Sequence, residues 1–80
     1  MADYDITVDF MDMTDARHLC ARPADVRSGF EPTVGRHVVV GEEDADPRVA
    51  RVLSVDEDGI IELVVLAGSV DSHRDLLSPV

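Results

Sequence analysis

The strongest constraint on the fold of this chain lies in the stretch Val52–Leu66, where two apolar runs flank the acidic segment Asp56–Gly59. Aspartate favours the first position of a type I turn, and glycine favours the left-handed conformation that closes a three-residue hairpin loop. A calcium-binding loop would instead need ligands at alternating positions over about twelve residues, between two helices. The stretch therefore predicts a β-hairpin whose acidic segment turns the chain rather than binding a metal.

The turn also predicts which residues face each other across the hairpin. It places Val55 opposite Ile61, and strict alternation then divides the apolar residues between a core face and the opposite face. The predicted core face carries Leu53, Val55, Ile61, Leu63 and Val65. The opposite face carries the apolar residues Val52, Ile60, Val64 and Leu66. Such a face should not stay wet, so we expect it to be covered by Val70, Leu76 and Leu77, or by a second copy or another partner.

The rest of the chain is divided by alternation and by turn residues. Tyr4–Phe10 alternates apolar with polar side chains and is expected to form a hairpin with the strand Arg17–Ala21. The connection Pro23–Gly35 contains two prolines and two glycines, which interrupt regular strand pairing after a short helical turn at Pro23. The remaining predicted elements are strands at His37–Gly41, Val49–Val55 and Ile60–Ala67, and a helical turn within Ser69–Leu77.

These elements predict one all-β domain over residues 1–80, a small five-stranded antiparallel barrel or roll with a short C-terminal helical turn. In the C-terminal half, Gly35–Val40, Ala50–Val52 and Gly59–Ile61 resemble the glycine and valine pattern of SH3-like barrels of the Tudor and KOW kind. The resemblance implies an interaction module, because such barrels bind peptides, nucleic acid or other subunits through an aromatic-lined groove. This chain is acidic and poor in aromatic residues, so the groove and nucleic-acid binding are not carried over.

Charge narrows the class of partner. The chain has 17 acidic residues, seven arginines and no lysine, which gives a formal net charge of -10. A surface of this sign repels phosphate backbones, so direct nucleic-acid binding is not expected, whereas a basic protein is a natural partner. The candidate docking residues for such a partner are Glu42, Glu43, Asp44 and Asp46, in an acidic loop that is otherwise a solvated turn.

The single cysteine and the histidines are the remaining candidates for chemistry. Cys20, His18, His37 and His73 could together supply four zinc ligands, but they lack the closely spaced pairs typical of structural zinc sites. A nucleophilic Cys20 would need a nearby histidine base, and no sequence motif of a hydrolase, nucleotide-binding protein or metalloprotease is present. We therefore expect no enzyme activity, cofactor or metal.

The compartment and the function follow as expectations. One cysteine, an N-terminus without a basic and apolar signal, and no apolar run near the roughly 20 residues of a membrane span predict a cytoplasmic protein that does not enter membranes. The first hypothesis is a non-catalytic interaction or accessory protein that binds a basic partner, or itself as a homodimer. The alternatives are an acidic mimic that inhibits a nucleic-acid-binding protein, and a small enzyme or metal protein using Cys20 and the histidines.

Overall fold

A computed structural model describes residues 4–77, which form one curled five-stranded sheet. The strands are β1 (Ile6–Thr7), β2 (His18–Ala21), β3 (His37–Glu42), β4 (Ala45–Val55) and β5 (Ile61–Val65), in the spatial order β1-β3-β4-β5-β2. Single 3-10 turns occur at Phe10–Asp12, Pro23–Asp25 and Asp71–His73, and the last leads into the one-turn helix α1 (Arg74–Leu77). The sheet forms a half-barrel that is compatible with an SH3-like fold.

The five strands and the short C-terminal helix of the predicted barrel or roll are present, but the sheet is mixed rather than antiparallel and does not close into a barrel. β1 runs parallel to β3, with Ile6 opposite Val40, whereas β2 is antiparallel to β5. The expected hairpin between the first two strands is therefore absent, and β1 and β2 lie at opposite edges of the sheet. Alternation in Tyr4–Phe10 correctly indicated one buried side, since Ile6 and Val8 are buried. It carries no information about the direction of the neighbouring strand.

The turn between β4 and β5 confirms the predicted hairpin. Gly59 has a φ of 82°, and its N–H donates to the Asp56 carbonyl over 3.0 Å. Asp56 Oδ1 accepts hydrogen bonds from the backbone N–H groups of Asp58 and Ile60, both at 2.9 Å. The aspartate side chain thus stabilises its own turn, as Asx turns do.

A β-bulge changes the predicted faces of this hairpin. Val55 lies opposite Ile61 as expected, but the register shifts between Val52 and Ser54, so that Val52 faces Leu63. Because the bulge adds one residue to β4, every position before it moves to the other face. Val52 is therefore in the core at 0% exposure, which corrects its prediction as part of an outer surface.

The core is aliphatic and lies on the concave, inner face of the sheet. Phe10, Met13, Val26 and Phe30 pack partly buried around it. The buried members are Ile6, Val8, Leu19, Ala21, Val38, Val40, Ala50, Val52, Ile61, Leu63 and Val65. All are small or aliphatic, so the core holds no buried polar side chain among the described residues.

The C-terminal segment folds back onto the outer face beside β3 and Pro47 of β4. The prediction had placed it over Val52, Ile60, Val64 and Leu66, of which Val52 faces the inner core instead. Val49, which pairs with Val39, is fully buried although it does not belong to the core cluster of the inner face. Val70 lies in a depression with Val39 and Pro47, and α1 contacts β3. The His73 Nε2 atom lies 2.6 Å from the Ala67 carbonyl oxygen, which holds the segment against the end of β5.

Candidate protein-interaction surfaces

The predicted acidic loop is a tight turn with two kinds of carboxylate. β3 ends at Glu42 and β4 begins at Ala45, so Glu43 and Asp44 form the turn itself. Glu42 is partly buried, and its Oε2 atom accepts a 2.8 Å hydrogen bond from the Phe10 N–H. Its role is therefore structural. Glu43, Asp44 and Asp46 are exposed and remain available to a partner.

The Glu42 hydrogen bond brings a second acidic segment to this turn. It holds the 3-10 turn Phe10–Asp12, whose preceding residue Asp9 accepts a hydrogen bond from the Met11 N–H. Met11 is 89% exposed between these carboxylates. We call this region the acidic end; its carboxylates belong to Asp9, Asp12, Glu42, Glu43, Asp44 and Asp46.

The arginines of the described chain do not neutralise the acidic end. Arg27 binds Asp5 over 2.7 Å, Arg22 lies 3.5 Å from Asp25, and Arg74 binds Asp71. None of the ion pairs found within residues 4–77 includes a carboxylate of the acidic end. The local negative charge is therefore left for solvent ions or for a bound cationic group.

The predicted apolar docking residues do not form one surface. Val52 lies in the core, whereas Ile60, Val64 and Leu66 are partly buried. Val64 occupies an outer-face row beside Arg51 of β4 and His18 of β2. The apolar side chains that stay on the outer face are therefore separated by charged or titratable neighbours.

The sheet separates the residues that could have formed a zinc or thiol site. His18 and Cys20 share β2, but β4 and β5 lie between β2 and His37 on β3. At about 4.8 Å per strand, that separation is roughly 14 Å, well beyond a shared metal ion. His73 instead contacts the Ala67 carbonyl, and residues 4–77 contain no cluster of three or more potential metal ligands.

The edge strand β2 has little free backbone to offer a partner strand. Thr14 covers the His18 backbone, because its Oγ1 atom accepts from the His18 N–H and its own N–H donates to the His18 carbonyl. Asp25 covers the backbone of Arg22 in the same reciprocal way. In an antiparallel ladder, alternate residues direct their backbone N–H and C=O groups away from the paired strand. On β2 these residues include His18 and Cys20, and only the backbone of Cys20 has no such partner among the described residues.

At the far end of β4 from the acidic end, an apolar cleft opens into the core. Its volume is about 410 Å³, and it lies between the β4–β5 turn and the Pro23–Gly35 connection. We call it the open cleft; its lining is Pro23, Val26, Arg27, Ser28, Phe30, Pro32, Val55, Gly59 and Ile61. The sequence did not predict this cleft, since it depends on a long-range approach of two loops. The two prolines and Phe30 in the connection were its only sequence signal.

Two arginines hold one lip of the open cleft. The guanidinium carbons of Arg36 and Arg27 lie 4.4 and 5.5 Å from the centre of the Phe30 ring, within the range of cation–π attraction. Arg36 also donates to the Glu31 carbonyl over 3.0 Å, and Arg27 is held by Asp5. The ring is thus kept in place by groups that are themselves anchored.

Two acidic residues lie next to the open cleft in the sequence, although they do not line it. Gly59 lines the open cleft, and Glu57 and Asp58 precede it in the β4–β5 turn. Both carboxylates are exposed, and neither takes part in an ion pair or side-chain hydrogen bond among the described residues. Only Asp56 is used by the turn, so the acidic segment both turns the chain and borders an apolar opening.

The comparisons with known proteins do not place this chain in a family. No family model, curated protein or solved structure matches it. Within residues 4–77, no helix is long and apolar enough to cross a membrane. The chemistry of the acidic end and of the open cleft is therefore the basis for a proposed function.

Proposed function

We propose that this protein is a non-catalytic interaction module that binds a cationic segment of a protein partner at the acidic end. The observation that supports the proposal is a set of six carboxylates gathered by the Glu42–Phe10 hydrogen bond, with no arginine paired to any of them in residues 4–77. The curled half-barrel is compatible with an SH3-like fold, and we propose, from the resemblance in the sequence, that it is of the Tudor or KOW kind, many of which are interaction modules.

The physical basis is relief of repulsion between like charges. Exposed ion pairs contribute only about 0–1 kcal/mol each, so several must form together to give useful affinity. A cluster of carboxylates also attracts a cationic partner over a distance of about 8–10 Å at ordinary salt concentrations and speeds its association. Binding at the acidic end should accordingly weaken steeply as salt is added.

The test compares two variants of equal net charge. One is the triple substitution Glu43→Gln, Asp44→Asn and Asp46→Asn, which removes exposed charge at the acidic end without touching Glu42. The control variant neutralises three exposed carboxylates elsewhere, namely Asp15→Asn, Asp71→Asn and Asp75→Asn. Proteins captured from the native host by the wild type are identified, purified and titrated against all three proteins.

The proposal requires that the triple variant loses the partner while the control variant retains it. Equal loss in both variants would mean that only net charge matters and would overturn the acidic end as the site. A captured nucleic-acid-binding protein that is released by DNA or RNA would instead support the mimic. A wild type that only self-associates in light scattering would favour the homodimer.

A further inference from the structure

We infer that the open cleft is a second docking site, which takes an apolar side chain flanked by lysine or arginine from a partner segment. The inference rests on the proposed function for the positive charge of the partner, but it concerns a different surface with its own residues.

The open cleft is a place where the chain leaves its own inner face uncovered. Val55 and Ile61 are opposite each other in the ladder, yet Ile61 is 1% exposed and Val55 is 39% exposed. At the other end of the same face, Phe10 and Met13 pack against the core. A volume of about 410 Å³ lies within the range of cavities that bind small molecules, so it can accept a large aliphatic side chain.

The walls of the open cleft are preorganised by contacts that a ligand would not have to create. On one side, Gly59 lies so close to Pro23 that a Cβ built on the glycine would be 2.7 Å from the proline Cγ. On the other side, the Arg27 N–H donates to the Asp5 carbonyl and the Phe30 N–H donates to the Arg27 carbonyl. Walls that are already held together reduce the entropy lost on binding.

The charge near the opening favours a cationic neighbour for the apolar side chain. Arg27 is paired with Asp5, whereas Arg36 is hydrogen bonded to the neutral Glu31 carbonyl and keeps its single positive charge. Glu57 and Asp58 have no such partner in the described chain. A lysine or arginine next to the inserted side chain would therefore meet unpaired carboxylates.

A second copy of this chain fits the open cleft poorly. Among residues 4–77, its most exposed large apolar residue is Met11, which directly precedes Asp12 and lies two residues after Asp9. Insertion of Met11 would bring these carboxylates towards Glu57 and Asp58, and each copy carries a formal charge of -10. Like charges placed opposite each other disfavour that complex, so the occupant we assign is a different, cationic protein segment.

The experiment uses three labelled synthetic peptides of equal length, measured by fluorescence anisotropy with the full chain. The first has a central leucine between arginines, the second replaces leucine by serine, and the third replaces the arginines by glutamates. We expect the first to bind, the second to bind about tenfold more weakly or worse because an apolar side chain is no longer buried, and the third not to bind. Equal binding of the first two peptides would overturn the inference.

Variants of the protein then locate the binding. Val55→Ser should weaken the first peptide severalfold, whereas Val34→Ser, at a 66% exposed valine outside the open cleft, should not. Glu57→Gln with Asp58→Asn should also weaken it, while Asp15→Asn with Asp75→Asn should not. Circular dichroism confirms that each variant is folded.

Changes in the amide chemical shifts of the wild type, measured as the first peptide is added, keep the test decisive even if Val55→Ser unfolds. Changes around Phe30 and Ile61 would support the inference. Shifts confined to Glu43–Asp46 would overturn it while leaving the proposed function intact, and no binding at either surface would count against both. Dimer formation through the open cleft in light scattering would show that the occupant is a second copy and would overturn our assignment.

Discussion

The two ends of β4 close the same sheet in different ways. At the acidic end, the alternating segment Tyr4–Phe10 places the Phe10 side chain against the core. The Phe10 N–H also donates a hydrogen bond to Glu42, so an apolar and a polar contact hold the same residue in place. At the other end, an irregular connection rich in proline and glycine reaches over the sheet and leaves Val55 partly exposed. A regular pattern seals a small core, whereas an irregular loop can leave an opening with defined walls.

The largest expected effect tests the wall of the open cleft. Gly59→Val should destabilise the fold by about 2–4 kcal/mol, because a β-branched residue is strained at positive φ and its Cβ would collide with Pro23. Asp58→Asn, at the neighbouring exposed position, should change stability by less than about 0.5 kcal/mol. Thermal unfolding followed by circular dichroism measures both. Similar melting temperatures for the two variants would contradict the turn geometry.

The next largest effect tests the β-bulge of β4, which lies between Val52 of the buried core and Val55 of the open cleft. Val52→Ala should cost about 1.5–3 kcal/mol, since Val52 is fully buried, whereas Leu53→Ala should cost about 1 kcal/mol or less because Leu53 is partly exposed. Urea titrations of both variants compare the two free energies of unfolding. The reverse order would mean that β4 is regular and that Leu53 is the core residue.

A smaller effect distinguishes the two kinds of carboxylate at the acidic end. Glu42→Ala should cost about 1–2 kcal/mol, because the partly buried Phe10 N–H loses its acceptor. Glu43→Ala should be within about 0.5 kcal/mol of the wild type, or slightly stabilising, since it removes repulsion at an exposed position. Equal costs in chemical unfolding would show that Glu42 is only another surface charge.

The smallest expected effect concerns calcium. If the acidic segment Asp56–Asp58 turns the chain and binds no metal, calcium at constant ionic strength should leave the melting temperature unchanged, because a ligand of the folded state alone would raise it. Magnesium is the matched control for general screening. A rise of several degrees specific to calcium would identify a metal site beside the open cleft.

Local sequence predicted those parts of the fold that local chemistry decides. The aspartate and glycine of the β4–β5 turn predicted its position and the pairing of Val55 with Ile61. A fold-back of the C-terminal segment was expected from Val70, Leu76 and Leu77, but the sequence did not predict that it meets β3. These features depend on turn conformation and on burial, both of which the order of residues expresses directly.

The failures come from relations between distant segments. Alternation showed that Ile6 is buried but not that β1 pairs in parallel with β3. No residue marks the bulge beside Leu53, which alone decides that Val52 faces inward. The open cleft depends on the contact between Pro23 and Gly59, 36 positions apart in the chain, so a local pattern could not predict it.

The covered edge of β2 has a consequence for how this protein behaves when it is concentrated. Fibrils grow when successive chains each add a full row of backbone hydrogen bonds to an exposed strand. On β2, Thr14 and Asp25 occupy both ends of that row and leave the backbone of Cys20 alone in the middle. An incoming strand would gain too few bonds to offset its loss of freedom. The β2 edge is therefore a poor template for the addition of further chains.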